Sequence, residues 1–178
     1  MSWWDGYRAV YGAELRAAAH EFADHGWPLV EAPEGLFLRT GGALDVIEVP
    51  ATVGRGVCAR LRASADVVPV AATPTGRWLF PVGTGGVVHP LLHAGTVLHT
   101  AGATVLAPPS ELPDGWVHWR VPPGYSAYRV PPAELILHAV ADVVRRRGDH
   151  DSHGIHGDHD ERPGTQRSAA GVAVGTRP

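Results

Sequence analysis

Between residues 11 and 24 the apolar positions Tyr11, Leu15, Ala18, Ala19 and Phe22 recur at helical spacing, and Gly26 closes the segment. That period predicts an amphipathic helix. Shorter apolar runs follow. Residues 27–31, 36–39 and 44–49 read as strands, the last with Asp45 and Glu48 set inside an apolar run. Val53, Val57 and Leu61 mark the inner face of a helix that Thr52 is placed to cap, while Gly54 and Gly56 lower its intrinsic propensity. Residues 67–72 and 77–82 predict two strands joined by the turn Thr73-Pro-Thr-Gly76. A short helix over 88–93 is expected next, then a hairpin of residues 96–99 and 104–107 around Ala101-Gly102, then a strand over 116–121. The strongest helical pattern spans 131–147, with Ile136, Val140, Val143 and Val144 on one face and three arginines at its end, where the dipole favours positive charge. Helices flanking short strands in irregular order predict an α+β domain with a mixed β-sheet.

Composition sets the boundaries of that domain. The chain has 178 residues, 44% of them hydrophobic, enough for one core. Charge nearly cancels up to Gly148, with twelve arginines against thirteen acids. Residues 149–178 then carry five acids, three arginines and almost no large apolar side chains. A segment of that kind cannot bury enough surface to offset its chain entropy. The expected division is a folded domain over 1–147 and a disordered His/Asp-rich tail over 148–178. All 15 basic residues are arginine and the net charge is -3, so arginine abundance is not itself a phosphate-binding signal. Cys58 is the sole cysteine, which excludes an internal disulfide and a multi-thiolate zinc site. No apolar run is long enough to cross a bilayer, and the N-terminus lacks a basic region followed by an apolar stretch. These features predict a soluble, cytoplasmic chain with no membrane partner.

Few segments carry candidate chemistry. His150, His153, His156 and His159 recur every third residue among aspartates. Imidazoles and carboxylates are transition-metal ligands, but a histidine tract of this kind also binds metal adventitiously, without an evolved site. Asp45 and Glu48 are three apart, so on a strand they point to opposite faces, and the position two beyond Glu48 is Pro50. A two-metal carboxylate site needs its acids on one face. The turn Thr73-Pro-Thr-Gly-Arg77 offers two hydroxyls, a glycine and an arginine, a set that can hold a phosphate, although many surface hairpins look the same. Trp116, His118 and Trp119 can stack bases or pack in the core. Cys58, on the inner side of its helix, reads as a small buried hydrophobe. No GxxxxGK[ST], GxGxxG, HExxH or GxSxG occurs.

Taken in order, four segments go further: His25-Gly-Trp-Pro-Leu-Val, Leu44-Asp-Val-Ile-Glu-Val-Pro, Ala72-Thr-Pro-Thr-Gly-Arg-Trp-Leu-Phe and Val105-Leu-Ala-Pro-Pro-Ser110. Over about residues 13–145 they resemble the N-terminal domain of bifunctional DNA primase/polymerases, the prim-pol family of the archaeo-eukaryotic primases. The resemblance implies an RRM-like palm with a mixed sheet. It also implies a site made from an acid pair on one strand, a histidine after the Thr-Pro-x-Gly turn and a third acid on a later strand. In active members those acids hold two divalent metals, magnesium or manganese, that neutralise charge on the transferring phosphoryl.

Position by position, the carry-over places Glu48 at the first acid and Pro50 at its partner. Trp78 falls at the histidine, and Thr96 to Leu98 at the third acid, with His99 the nearest polar residue. Thr73, Pro74, Gly76 and Phe80 keep the surrounding pattern. The resulting expectation is a catalytically degenerate prim-pol-like domain. It would keep a nucleotide or DNA cleft around Thr73, Thr75, Gly76, Arg77 and Ser110, with Glu48 and Asp45 as the remnants of the catalytic set and no required cofactor. The alternatives are an active primase/polymerase using Asp45, Glu48 and His99 as metal ligands, and a protein-interaction module on the same fold.

Overall fold

A computed structural model describes residues 3–32, 35–85 and 95–153. It begins with helix α1 (Trp3–Asp24), followed by strands β1 (Leu29–Ala32), β2 (Gly35–Arg39) and β3 (Asp45–Pro50). Helix α2 (Ala51–Ala63) leads into β4 (Val70–Ala72) and β5 (Arg77–Val82). Beyond them come β6 (Val97–His99), β7 (Thr104–Ala107), β8 (Glu111–Leu112), β9 (Gly115–Trp116) and β10 (His118–Val121). A single 3-10 turn (Pro123–Ser126) and helix α3 (Ala133–His153) complete the order. The short helix expected over 88–93 lies outside the described residues. So does the tail from 154, with His156 and His159. Helix α3 itself runs through Gly148 to His153, past the expected boundary.

The α+β class is as the sequence indicates, with one correction: every described strand pair is antiparallel, so the sheets are not mixed. A five-stranded sheet has the order β10-β4-β5-β3-β6, a three-stranded sheet the order β1-β2-β7, and β8 pairs with β9. Strand β3 is apolar on both faces because it is covered on both. Ile47 and Val49 enter one core with Val57 and Leu61 of α2, Phe80 of β5 and Ile136 and Val140 of α3. Val46 enters a second core with Phe22, Trp27, Leu36, Leu79, Val105 and Val117. Glu48 shares the Val46 face, at the end of the strand where the second core gives out.

Three local expectations are corrected. Thr52 does not cap α2: the helix starts two residues earlier than that cap would give, Pro50 occupies the cap position, and no side chain bonds there. The first helical N–H, of Ala51, instead donates to the Gly76 carbonyl at 2.8 Å, so the β4–β5 turn supplies the missing acceptor. Gly54 and Gly56 are packing requirements. A Cβ on Gly54 would lie 2.6 Å from the Trp78 ring, and one on Gly56 would lie 2.7 Å from Val143 of α3.

The expected hairpin of β6 and β7 does not form. Strand β6 pairs with β3 and β7 with β2, in different sheets. Burial of Val105 and Ala107 in the second core draws β7 away. The connection between them is fixed by Thr40, whose backbone N–H and hydroxyl both donate to the Ala103 carbonyl, at 3.0 and 3.1 Å. The strand expected over 116–121 is also broken, at Val117, whose N–H turns to the Ser110 carbonyl. No helix among the described residues is long and apolar enough to cross a membrane.

Candidate functional site

Three neighbouring strands bring three polar side chains to one face. Register pairs Pro50 with Arg77 across β3 and β5, and pairs Glu48 with Val97 and Val46 with His99 across β3 and β6. Side chains alternate along each strand, so Glu48, Pro50, Arg77, Val97 and His99 share that face. Arg77 donates from Nε to Glu48 Oε1 at 2.5 Å and from Nη2 to the Gly95 carbonyl at 2.6 Å. His99 Nε2 donates to Glu48 Oε2 at 2.7 Å. Each carboxylate oxygen of Glu48 therefore has its own donor. Burial pushes the Glu48 carboxyl up, but the hydrogen bonds and charges of Arg77 and His99 outweigh it and hold the group below the ordinary glutamate value.

The turn that precedes Arg77 is ordered by its own hydroxyl. Thr73 Oγ1 accepts from the Arg77 N–H at 3.1 Å and lies 2.8 Å from Thr75 Oγ1. The Thr73 N–H donates to the Arg77 carbonyl at 2.8 Å, and Gly76 takes the left-handed conformation (φ 78°) that closes the turn. Thr73, Thr75, Gly76 and Arg77 are thus contiguous with Glu48 and His99.

Two residues singled out in the sequence lie elsewhere. Asp45 is on the opposite face of β3, buried, with Oδ1 accepting the Gly41 N–H at 2.9 Å, so it shapes the turn entering the strand and does not join Glu48 and His99. Ser110 is fully buried, accepting the Leu36 N–H at 2.8 Å and donating to the Leu36 carbonyl at 3.2 Å, a tie between β2 and the chain after β7. Trp78, which the resemblance put at the histidine, points away from Glu48 into the helix-side core, where Arg120 lies 5.3 Å over its ring. Trp119 packs edge-on against Phe22 and Trp27, and His118 is exposed.

Sequence reasoning missed the Arg77–Glu48 bond and the Gly95 carbonyl; both depend on strand register, which no local motif carries. Among the described residues, no group of three or more His, Cys, Asp or Glu side chains is arranged to hold a metal ion. On the shared face the positions beside Glu48 are Val46, Pro50, Leu79 and Val97, none of them acidic, and the Glu48 charge is balanced by Arg77. This set does not fit a pair of divalent cations, which depend on anionic oxygen ligands.

The molecule is therefore an α+β domain built on a central antiparallel sheet, with one ion-paired carboxylate where the middle strands meet. Its sequence matches the family of bifunctional DNA primase/polymerase N-terminal domains, Prim-Pol, over residues 3–135, and the chain belongs to that family. No curated protein and no solved structure gave a match to the chain.

Proposed function

We propose that this is a non-catalytic Prim-Pol domain that binds the phosphates of a nucleotide or of DNA without metal. One observation carries the reading: both oxygens of Glu48 are held by the chain's own Arg77 and His99. Two-metal nucleotidyl transfer needs several carboxylates on one face, free to bind cations. Here one carboxylate stands there and its charge is balanced internally. Magnesium dehydrates reluctantly and would have to displace a guanidinium to reach it.

A guanidinium has five N–H donors, and Arg77 commits Nε and Nη2. Its remaining donors, with the exposed hydroxyl of Thr75, supply phosphate contacts of the kind arginine and turn sites make. Ser110 drops out of this cleft because its hydroxyl is buried and bonded at both ends. A protein-docking reading of the same face has little support. Of the exposed large apolar side chains among the described residues, Val97 alone lies there, while Val67 and Tyr125 border cavities beside α2 and α3.

Calorimetric titration with a nucleoside triphosphate tests the reading. The expected result is weak binding that is unchanged when magnesium is chelated and falls roughly tenfold in Arg77→Ala, the loss of one charge-assisted contact. Binding that requires magnesium and disappears in Glu48→Ala would restore the metal site and overturn it.

A further inference from the structure

His99 is held by only one of its two ring nitrogens. Glu48 is ionised in the folded protein, and a carboxylate accepts hydrogen bonds but cannot donate one, so the proton in the Nε2–Oε2 bond belongs to His99. A neutral imidazole with its proton on Nε2 carries a bare lone pair on Nδ1. Among the described residues none donates to that atom. The side chain is 24% exposed, so part of the ring is open to the surface.

The other groups on this face have the opposite polarity. Arg77 offers donors alone, and those not bonded to Glu48 and Gly95 are uncommitted. Arg77 and His99 come from strands on opposite sides of β3 and take the two oxygens of one carboxylate, which brings guanidinium and imidazole together. A phosphate on Arg77 brings acceptors and leaves Nδ1 unsatisfied. That lone pair calls for a donor on the same ligand, close to its phosphate.

We propose that the ligand of this face is a ribonucleotide, its phosphate on Arg77 and a ribose hydroxyl donating to His99 Nδ1. The inference rests on the phosphate reading above and narrows it. Along a DNA strand the sugars carry no free hydroxyl, so DNA would leave Nδ1 unpaired, whereas the ribose hydroxyl is the group by which a site tells the two sugars apart. His99 is then the specificity-determining residue. Glu48 is its positioning residue, fixing which nitrogen bears the proton and how the ring lies.

ATP and its 2′,3′-dideoxy analogue, titrated into the full chain without magnesium, measure the hydroxyl directly. The titrations are run at about pH 8, the upper end of the range in which histidines ordinarily change charge. ATP should bind roughly three- to tenfold more tightly, the worth of one neutral hydrogen bond. Arg77→Ala should weaken both nucleotides alike and keep their ratio. In His99→Leu the ratio should fall to one. Because the ratio compares two ligands on one protein, a merely structural loss, which lowers both affinities, does not move it. Imidazole nitrogen spectra of the wild type give a second readout: the His99 Nδ1 resonance should be that of an unprotonated nitrogen, shifting with ATP and not with the dideoxy analogue. Equal affinity for the two nucleotides, both still weakened in Arg77→Ala, would overturn this inference and leave the phosphate reading standing. An unchanged ratio in His99→Leu, or a proton on Nδ1 in place of Nε2, would overturn it as well. No binding of either nucleotide would sink both readings.

Discussion

Glu48 shows how far a single residue's role depends on its neighbours. In the sequence it is an acid in an apolar run with no partner at the spacing a metal pair needs. In the fold it is the centre of a three-residue set, ion-paired with Arg77 from one neighbouring strand and hydrogen-bonded by His99 from the other. Its side chain is 22% exposed, so solvent screens the pair only in part. Because its pKa lies below about 4.5 in the folded protein, the pairing contributes stability above the ordinary glutamate value, and that contribution is lost as pH falls through the lowered one. Glu48→Gln should therefore cost about 1–2 kcal/mol near neutral pH, as lost charged hydrogen bonds do. Its deficit against the wild type should shrink on acidification below 4.5. Urea unfolding of both proteins across that range measures this, and a deficit constant with pH would mean that the charge of Glu48 does not matter. The acid and the turn were legible from residue types, but the partnership of Arg77 with Glu48 was not. Arg77 reads locally as a phosphate ligand, and only cross-strand register shows which side chain it meets.

At the scale of elements, apolar periodicity located α2, β3 and β5 closely, because each buries a continuous face. It failed where an element's partner is non-local. Nothing in Ala101-Gly102 says that β6 and β7 go to different sheets; the decision is made by Val105 and Ala107 in the second core. Helix α2 shows the same limit in its glycines, unfavourable by propensity yet required by the Trp78 ring and by Val143. Alanine at Gly54 would gain about 1 kcal/mol of helix propensity but lose about 1–3 kcal/mol to overpacking. Gly54→Ala should therefore be destabilising in chemical denaturation, and a stabilised variant would contradict the close contact. Thr52→Ala should change stability by less than about 0.5 kcal/mol, where a true capping threonine would lose about 1 kcal/mol. Those two variants separate what α2 gets from its packing from what it gets from its ends.

Across the whole molecule, membership of the Prim-Pol family and the α+β fold agree; segments 44–50 and 72–80 lie on adjacent strands of the five-stranded sheet, while segments 25–30 and 105–110 reach the three-stranded one. The residues across from Glu48 are Leu79 and Val97, the residue two beyond it is Pro50, and Trp78 is packed in the opposite core. The most direct test is primer synthesis and extension by the full chain on single-stranded DNA with manganese as well as magnesium. With Glu48 held by Arg77 and His99, no product should form above the level given by Glu48→Ala. Robust extension by the wild type that vanishes in Glu48→Ala would contradict the account.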